Sequence, residues 1–175
     1  FNASCGEEFN DEGWIAIQLE KADELDKKDP SLALEFVIDI LEQEQNKLTQ
    51  QQTIPFLVRM AKYYYYLSKY DLAQQVIDQV SEYSVDNNSH DGITLMITQA
   101  AVWDNTGKVD QAMELFNSAK QIAKENNNQR LLAETYTYIA ASFTIRYNDA
   151  EALRYFHLAY KIIKEETFQH LVIVP

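Results

Sequence analysis

With 175 residues, 15 Lys plus Arg against 27 Asp plus Glu and a net charge of −12, the chain repels nucleic-acid phosphates and anionic lipid surfaces rather than gathering them. Four glycines and three prolines leave few turn signals, which predicts long helices with short connections and an all-α protein. The single Cys5 excludes an internal disulfide and marks no compartment, and no window approaches the ~20 apolar residues that span a bilayer.

Residues 1–13 read as a polar, acidic leader without the basic start and apolar run of a signal peptide. A first helix is expected from Trp14 to near Lys28, and Asp29-Pro30 reads as an N-cap followed by proline at the first position of a second helix. Beyond the Gln-rich residues 43–53, where Thr49 and Gln52 fit a capping box, a third helix is expected over Ile54 to Leu67. Its run Tyr63 to Tyr66 points in four directions, so the four rings cannot share one core. Tyr70 and Asp71 open a fourth helix, which ends before Asp86-Asn87-Asn88-Ser89. Asp91 is expected to cap a fifth helix, and Gly107 supplies the turn into a sixth over Lys108 to Asn126. A seventh runs from Arg130 to Phe143, and Asn148 caps an eighth.

The sixth helix shows what repeats. Ala112, Phe116 and Ala119 share one face, and the figure recurs at Ala152, Phe156 and Ala159, at Ala73, Ile77 and Val80, and at Ala33, Val37 and Ile40. The first alanines are spaced by 40, 39 and 40 residues, a period that marks a repeat array. Twelve residues before three of them stand Ala61, Ala100 and Ala140, followed three residues on by Tyr64, Trp103 and Phe143. The first repeat restores this figure only by a one-residue slip to Ala22 and Leu25. Gln129-Arg130-Leu131-Leu132 is echoed by Gln169-His170-Leu171-Val172, so residues 169–175 read as the truncated start of a further helix.

This order of small and large residues resembles the tetratricopeptide repeat across nearly the whole chain. HEAT and armadillo units have the closer period, about 40 to 47 against about 34, but helices longer by roughly one and a half turns explain the difference. The resemblance implies a superhelix of about four antiparallel helix pairs, a right-handed α-α solenoid over residues 14–168 with units at roughly 14–50, 51–89, 90–128 and 129–168. The long repeat, the acidic surface, YYYYLSKYDLA and the Asn/Gln-rich connections are similar to sensor regions that precede GGDEF diguanylate cyclase domains in gammaproteobacteria. That similarity implies a periplasmic sensor, joined to a membrane through segments outside residues 1–175, with no cyclase activity in this part. A cytoplasmic peptide receptor or transcriptional regulator, or a scaffold that binds its own copies, stays open beside it.

His90, His157 and His170 stand apart without HExxH or paired-cysteine context, and there is no phosphate loop, glycine-elbow triad or GGDEF sequence. No metal, cofactor or catalytic residue is expected, and the chain reads as a non-enzyme. In arrays of this kind the first helix of each pair lines an inner surface that receives a peptide or partner helix. Counting from the markers places there Val58, Lys62, Tyr65 and Tyr66, then Ile97, Ala101, Asp104 and Asn105, then Thr137, Ala141, Thr144 and Ile145. The binding candidates are Lys62, Tyr65, Tyr66, Asp104, Asn105, Thr137 and Thr144. Tyr65 and Tyr66 are the sharpest, as rigid amphipathic anchors, while Trp103 is expected as core filler. A protein, peptide or small ligand of mixed apolar and polar character is the expected partner.

Overall fold

A computed structural model describes residues 12–44 and 46–172, with side chains described through residue 165. Among these residues the chain is all-α, with eight helices: α1 (Glu12–Asp26), α2 (Pro30–Glu44), α3 (Gln50–Tyr66), α4 (Tyr70–Ser81), α5 (His90–Asn105), α6 (Val109–Glu125), α7 (Gln129–Ile145) and α8 (Asp149–Val172). They fall into two compact units, Phe1–Ser84 and Val85–Pro175. Within each unit consecutive helices pack side by side, and α1 also touches α3, as α5 touches α7.

Capping chemistry fixes where the helices begin. Asp29 Oδ1 accepts the Ser31 amide at 2.8 Å, so Pro30 takes the position where a missing N–H removes no bond. The Thr49–Gln52 capping box forms in both directions, with Gln52 Oε1 accepting the Thr49 amide at 2.9 Å. It starts α3 four residues before the expected Ile54 and leaves Pro55 inside the helix. The cap of α5 is Ser89, whose hydroxyl accepts the Gly92 amide at 3.0 Å, not Asp91, which lies in the first helical turn. Asn148 Oδ1 accepts the Glu151 amide at 3.4 Å, as expected at the start of α8.

Two further boundaries differ from expectation. Helix α1 already begins at Glu12, inside the expected leader, whose residues 1–11 lie outside the described residues. Helix α8 runs unbroken through Val172, so the backbone of Gln169 to Val172 continues α8 where a new helix was expected. Residues 173–175 lie outside the described residues.

The turns inside the helix pairs repeat with the sequence. Ser68, Gly107 and Tyr147 each hold a positive φ, of 58°, 90° and 57°. In each turn the next amide reaches back to a marker aromatic: Lys69 N–H to Tyr64 O at 2.9 Å, Lys108 N–H to Trp103 O at 2.8 Å and Asn148 N–H to Phe143 O at 3.0 Å. This left-handed closure satisfies carbonyls that a helix end leaves open.

The small residues do what their spacing predicts. Ala33, Ala61, Ala73, Ala100, Ala112 and Ala140 are all fully buried, where a missing side chain lets helix backbones approach closely. The large marker behaves the same way at Val37, Ile77 and Phe116, but Phe156 is 41% exposed, so the expected inward placement fails in α8. Trp103 is half-buried rather than core filler, with Lys108 Nζ 5.9 Å from its ring centroid.

One arginine–aspartate pair in each unit ties alternate helices together. Arg59 on α3 grips Asp23 on α1 through Nε at 2.8 Å and Nη2 at 2.9 Å. In the second unit Arg146, at the end of α7, meets Asp104 on α5. A two-pronged contact of this kind fixes geometry as well as charge.

Candidate binding surface

The candidate residues divide between the units: Lys62, Tyr65 and Tyr66 lie in the first, Asp104, Asn105, Thr137 and Thr144 in the second. The four tyrosines at the end of α3 fan out as helical geometry requires, at about 100° per residue. Tyr63 is buried at 1% exposure, Tyr64 and Tyr65 are half-buried, and Tyr66 is 39% exposed. Burial, with the carboxylates of Asp23 and Asp26 nearby, pushes the Tyr63 phenol well above its ordinary range.

Tyr65 and Tyr66 belong to one aromatic group. The Tyr65 ring centroid lies 5.9 Å from that of Tyr66 and 5.9 Å from that of Tyr70, the first residue of α4. Lys62, one turn earlier, holds its Nζ 5.6 Å from the Tyr66 centroid, a cation–π distance. These contacts position two broad, rigid rings at the solvent boundary before any ligand arrives. Such a surface stacks on apolar or planar groups and offers hydroxyls at its edge, the combination common at binding hot spots.

The second unit places its candidates differently. The Asp104 side chain is 3% exposed; it accepts a bond from Ser142 Oγ at 3.0 Å and one from Arg146 Nη2. Arg146 also donates from Nη1 to Ser142 Oγ at 2.7 Å. The expectation that Asp104 faces a ligand is therefore corrected: an arginine 42 residues away draws it into the α5–α7 contact. Asn105, Thr137 and Thr144 are exposed. Each donates from its side chain to a carbonyl four residues earlier: Ala101 O at 2.9 Å, Ala133 O at 3.0 Å and Ala140 O at 3.0 Å. Of the other residues counted onto the inner surface, Val58, Ile97 and Ala101 are fully buried and are core positions.

A cleft missed by the sequence reading lies in the first unit. It measures about 460 Å³ and is lined by Leu41 of α2, Leu48, Thr53, Leu57 and Met60 around α3, and Gln79 and Tyr83 at the end of α4. No lining residue carries a charge, so the cleft suits a neutral group of mixed apolar and hydrogen-bonding character. A faint signal existed: two periods along, Thr53 and Leu57 correspond to the larger Leu132 and Tyr136. The Tyr136 ring fills its own unit by packing 5.8 Å from Tyr155.

No family model matches the chain, and no curated protein is significantly similar to it.

Proposed function

We propose that this chain is a non-catalytic, tetratricopeptide-like binding module that takes an extended protein or peptide segment across the Tyr65–Tyr66 surface. The observation that carries this reading is the preorganised aromatic group itself, with Tyr66 exposed and Tyr65 fixed between two neighbouring rings. A partner that stacks there loses little side-chain freedom on the receptor side. The buried alanines at helix contacts and the recurring left-handed turns at Ser68, Gly107 and Tyr147 support the repeat assignment. Lys62, already over Tyr66, favours a ligand with an acceptor or carboxylate near its apolar anchor.

The test is selection of extended peptides from a random display library on the full chain, followed by affinity measurement on a Tyr65→Ala/Tyr66→Ala variant. Loss of two anchors worth about 2 kcal/mol each weakens binding by two to three orders of magnitude. Peptides that bind both proteins equally, or a library that yields no binder, would refute the surface assignment.

The module serves a bacterial signalling protein, as the periplasmic part of a diguanylate cyclase. What supports this placement is the similarity in repeat length and acidic surface; no described helix is long and apolar enough to cross a membrane. The complete open reading frame decides it. A signal segment upstream and a span of about 20 apolar residues before a GGDEF domain downstream support the sensor role; an uninterrupted soluble reading frame refutes it.

A further inference from the structure

The cleft of the first unit lies where one copy of the repeat lacks two rings that another copy supplies. Two periods along, Leu57 and Val76 correspond to Tyr136 of α7 and Tyr155 of α8. Those two rings lie 5.8 Å apart, Tyr155 also stacks 5.8 Å from Phe143, and Tyr136 is 7% exposed. Aromatic groups of this kind fill a helix interface with broad, rigid area. Leu57 and Val76 are as deeply buried, at 4% and 6% exposure, but neither carries a ring, and the cleft of about 460 Å³ opens beside Leu57.

The polar residues differ together with the space. Gln79 and Tyr83 stand where α8 has Leu158 and Ile162, so the copy without the rings carries hydrogen-bonding side chains where the filled copy carries apolar ones. The Tyr83 amide donates to Val80 O at 3.0 Å, which continues the turn past α4 and keeps Gln79 and Tyr83, four residues apart, on one edge of the cleft. The Gln79 amide supplies donors and an acceptor, while the Thr53 hydroxyl donates to Thr49 O at 2.9 Å and leaves its oxygen to accept. Leu41, Leu48 and Met60 complete the lining, and no charged side chain is there to hold an ion.

We propose that the cleft binds a small, neutral phenolic compound, whose rings take the place that Tyr136 and Tyr155 fill in the second unit and whose hydroxyl bonds to Gln79 or Thr53. The second unit supplies the precedent for the occupant: phenol rings packed at the same repeat positions. The site shares no residue with the Lys62, Tyr65 and Tyr66 group, so it stands whether or not a peptide binds there.

The probe is bis(hydroxyphenyl)methane, which joins two tyrosine-like rings in one neutral molecule. The chain has three methionines, Met60 in the cleft and Met96 and Met113 in the second unit, so methyl-labelled methionine shows by NMR where the probe binds. Titration of the full chain should move the Met60 signal saturably, with a Kd on the order of 0.1–1 mM for a ligand of this size, and leave Met96 and Met113 in place. Leu57→Tyr/Val76→Tyr, which supplies the rings of the second unit, should abolish the shift. Gln79→Leu, at an exposed position, should weaken binding about tenfold. A Met60 signal that stays in place, or three methyl signals that move alike, overturns the proposal. So does an equal shift with the saturated analogue bis(hydroxycyclohexyl)methane, or full affinity in Gln79→Leu, the variant that decides even where the double variant does not fold.

Discussion

Replacing Asp104 with alanine separates a structural role from a ligand-facing one. The carboxylate is 3% exposed and its arginine partner 31%, so the pair is buried at one end and wet at the other. Removing one partner of a fully buried pair costs about 3–5 kcal/mol. Here the freed guanidinium turns toward water, which lowers the cost, while Ser142, itself 3% exposed, loses an acceptor. The expected destabilisation is about 2–3 kcal/mol, or a fall in Tm of roughly 5–10 °C for a chain of this size. Urea titration followed by far-ultraviolet circular dichroism and by the fluorescence of Trp14 and Trp103 reads it, with Arg146→Ala and the double variant completing a cycle. A coupling of about 1–2 kcal/mol is expected because the residues form one network. A peptide selected on the wild type should bind the folded Asp104→Ala chain unchanged. Stability within about 0.5 kcal/mol of wild type, additive single effects, or selective loss of peptide binding would each refute the structural role.

The Tyr63 hydroxyl is buried without a hydrogen-bond partner, so Tyr63→Phe should stabilise the chain by about 1 kcal/mol, read as a higher urea midpoint. The same variant tests the pH dependence: because the folded-state pKa of Tyr63 is raised, its contribution is complete below the unfolded value near 10 and declines as pH rises above it, by up to about 1.4 kcal/mol per unit. Tyr63→Phe should remove that part of the alkaline decline; equal slopes in the two proteins would contradict the assignment. Gly92→Ala should destabilise, although alanine in a helix normally gains about 1 kcal/mol over glycine. A Cβ at Gly92 would fall 2.1 Å from the backbone oxygen of Asp86, and relieving that overlap costs about 1–3 kcal/mol. A raised Tm in this variant would show that the start of α5 is looser than described.

The fold was legible where the sequence repeats itself and less so where one interaction decides. Alanines at a fixed period predicted buried helix contacts, and Ala61, Ala100 and Ala140 are indeed fully buried, because a larger side chain there would hold the helices apart. Helix starts were less legible. The Thr49–Gln52 box could be read as a cap, but Asp91 was expected to cap α5, and only the folded turn shows that Ser89 is the side chain that reaches the Gly92 amide. Periodicity also cannot say when a helix lacks a neighbour. Phe156 repeats Phe116 in sequence, yet one is 41% exposed and the other 1%, because exposure belongs to the packing partner as much as to the residue.

The candidate surface shows the same division. Tyr66 could be placed outside because four consecutive rings at helical spacing leave at least one on the solvent side, and its 39% exposure agrees. Asp104 follows the same counting rule but obeys a long-range term that counting omits, the arginine at the end of α7. A charged residue at a repeat position is thus a poorer guide to a binding face than an aromatic one. The aromatic has nothing to neutralise, and its position is set locally by α3 and the first turn of α4. The charge goes wherever the fold supplies its opposite, so in this chain the tyrosines, not the aspartate, mark the surface on which a ligand can be sought.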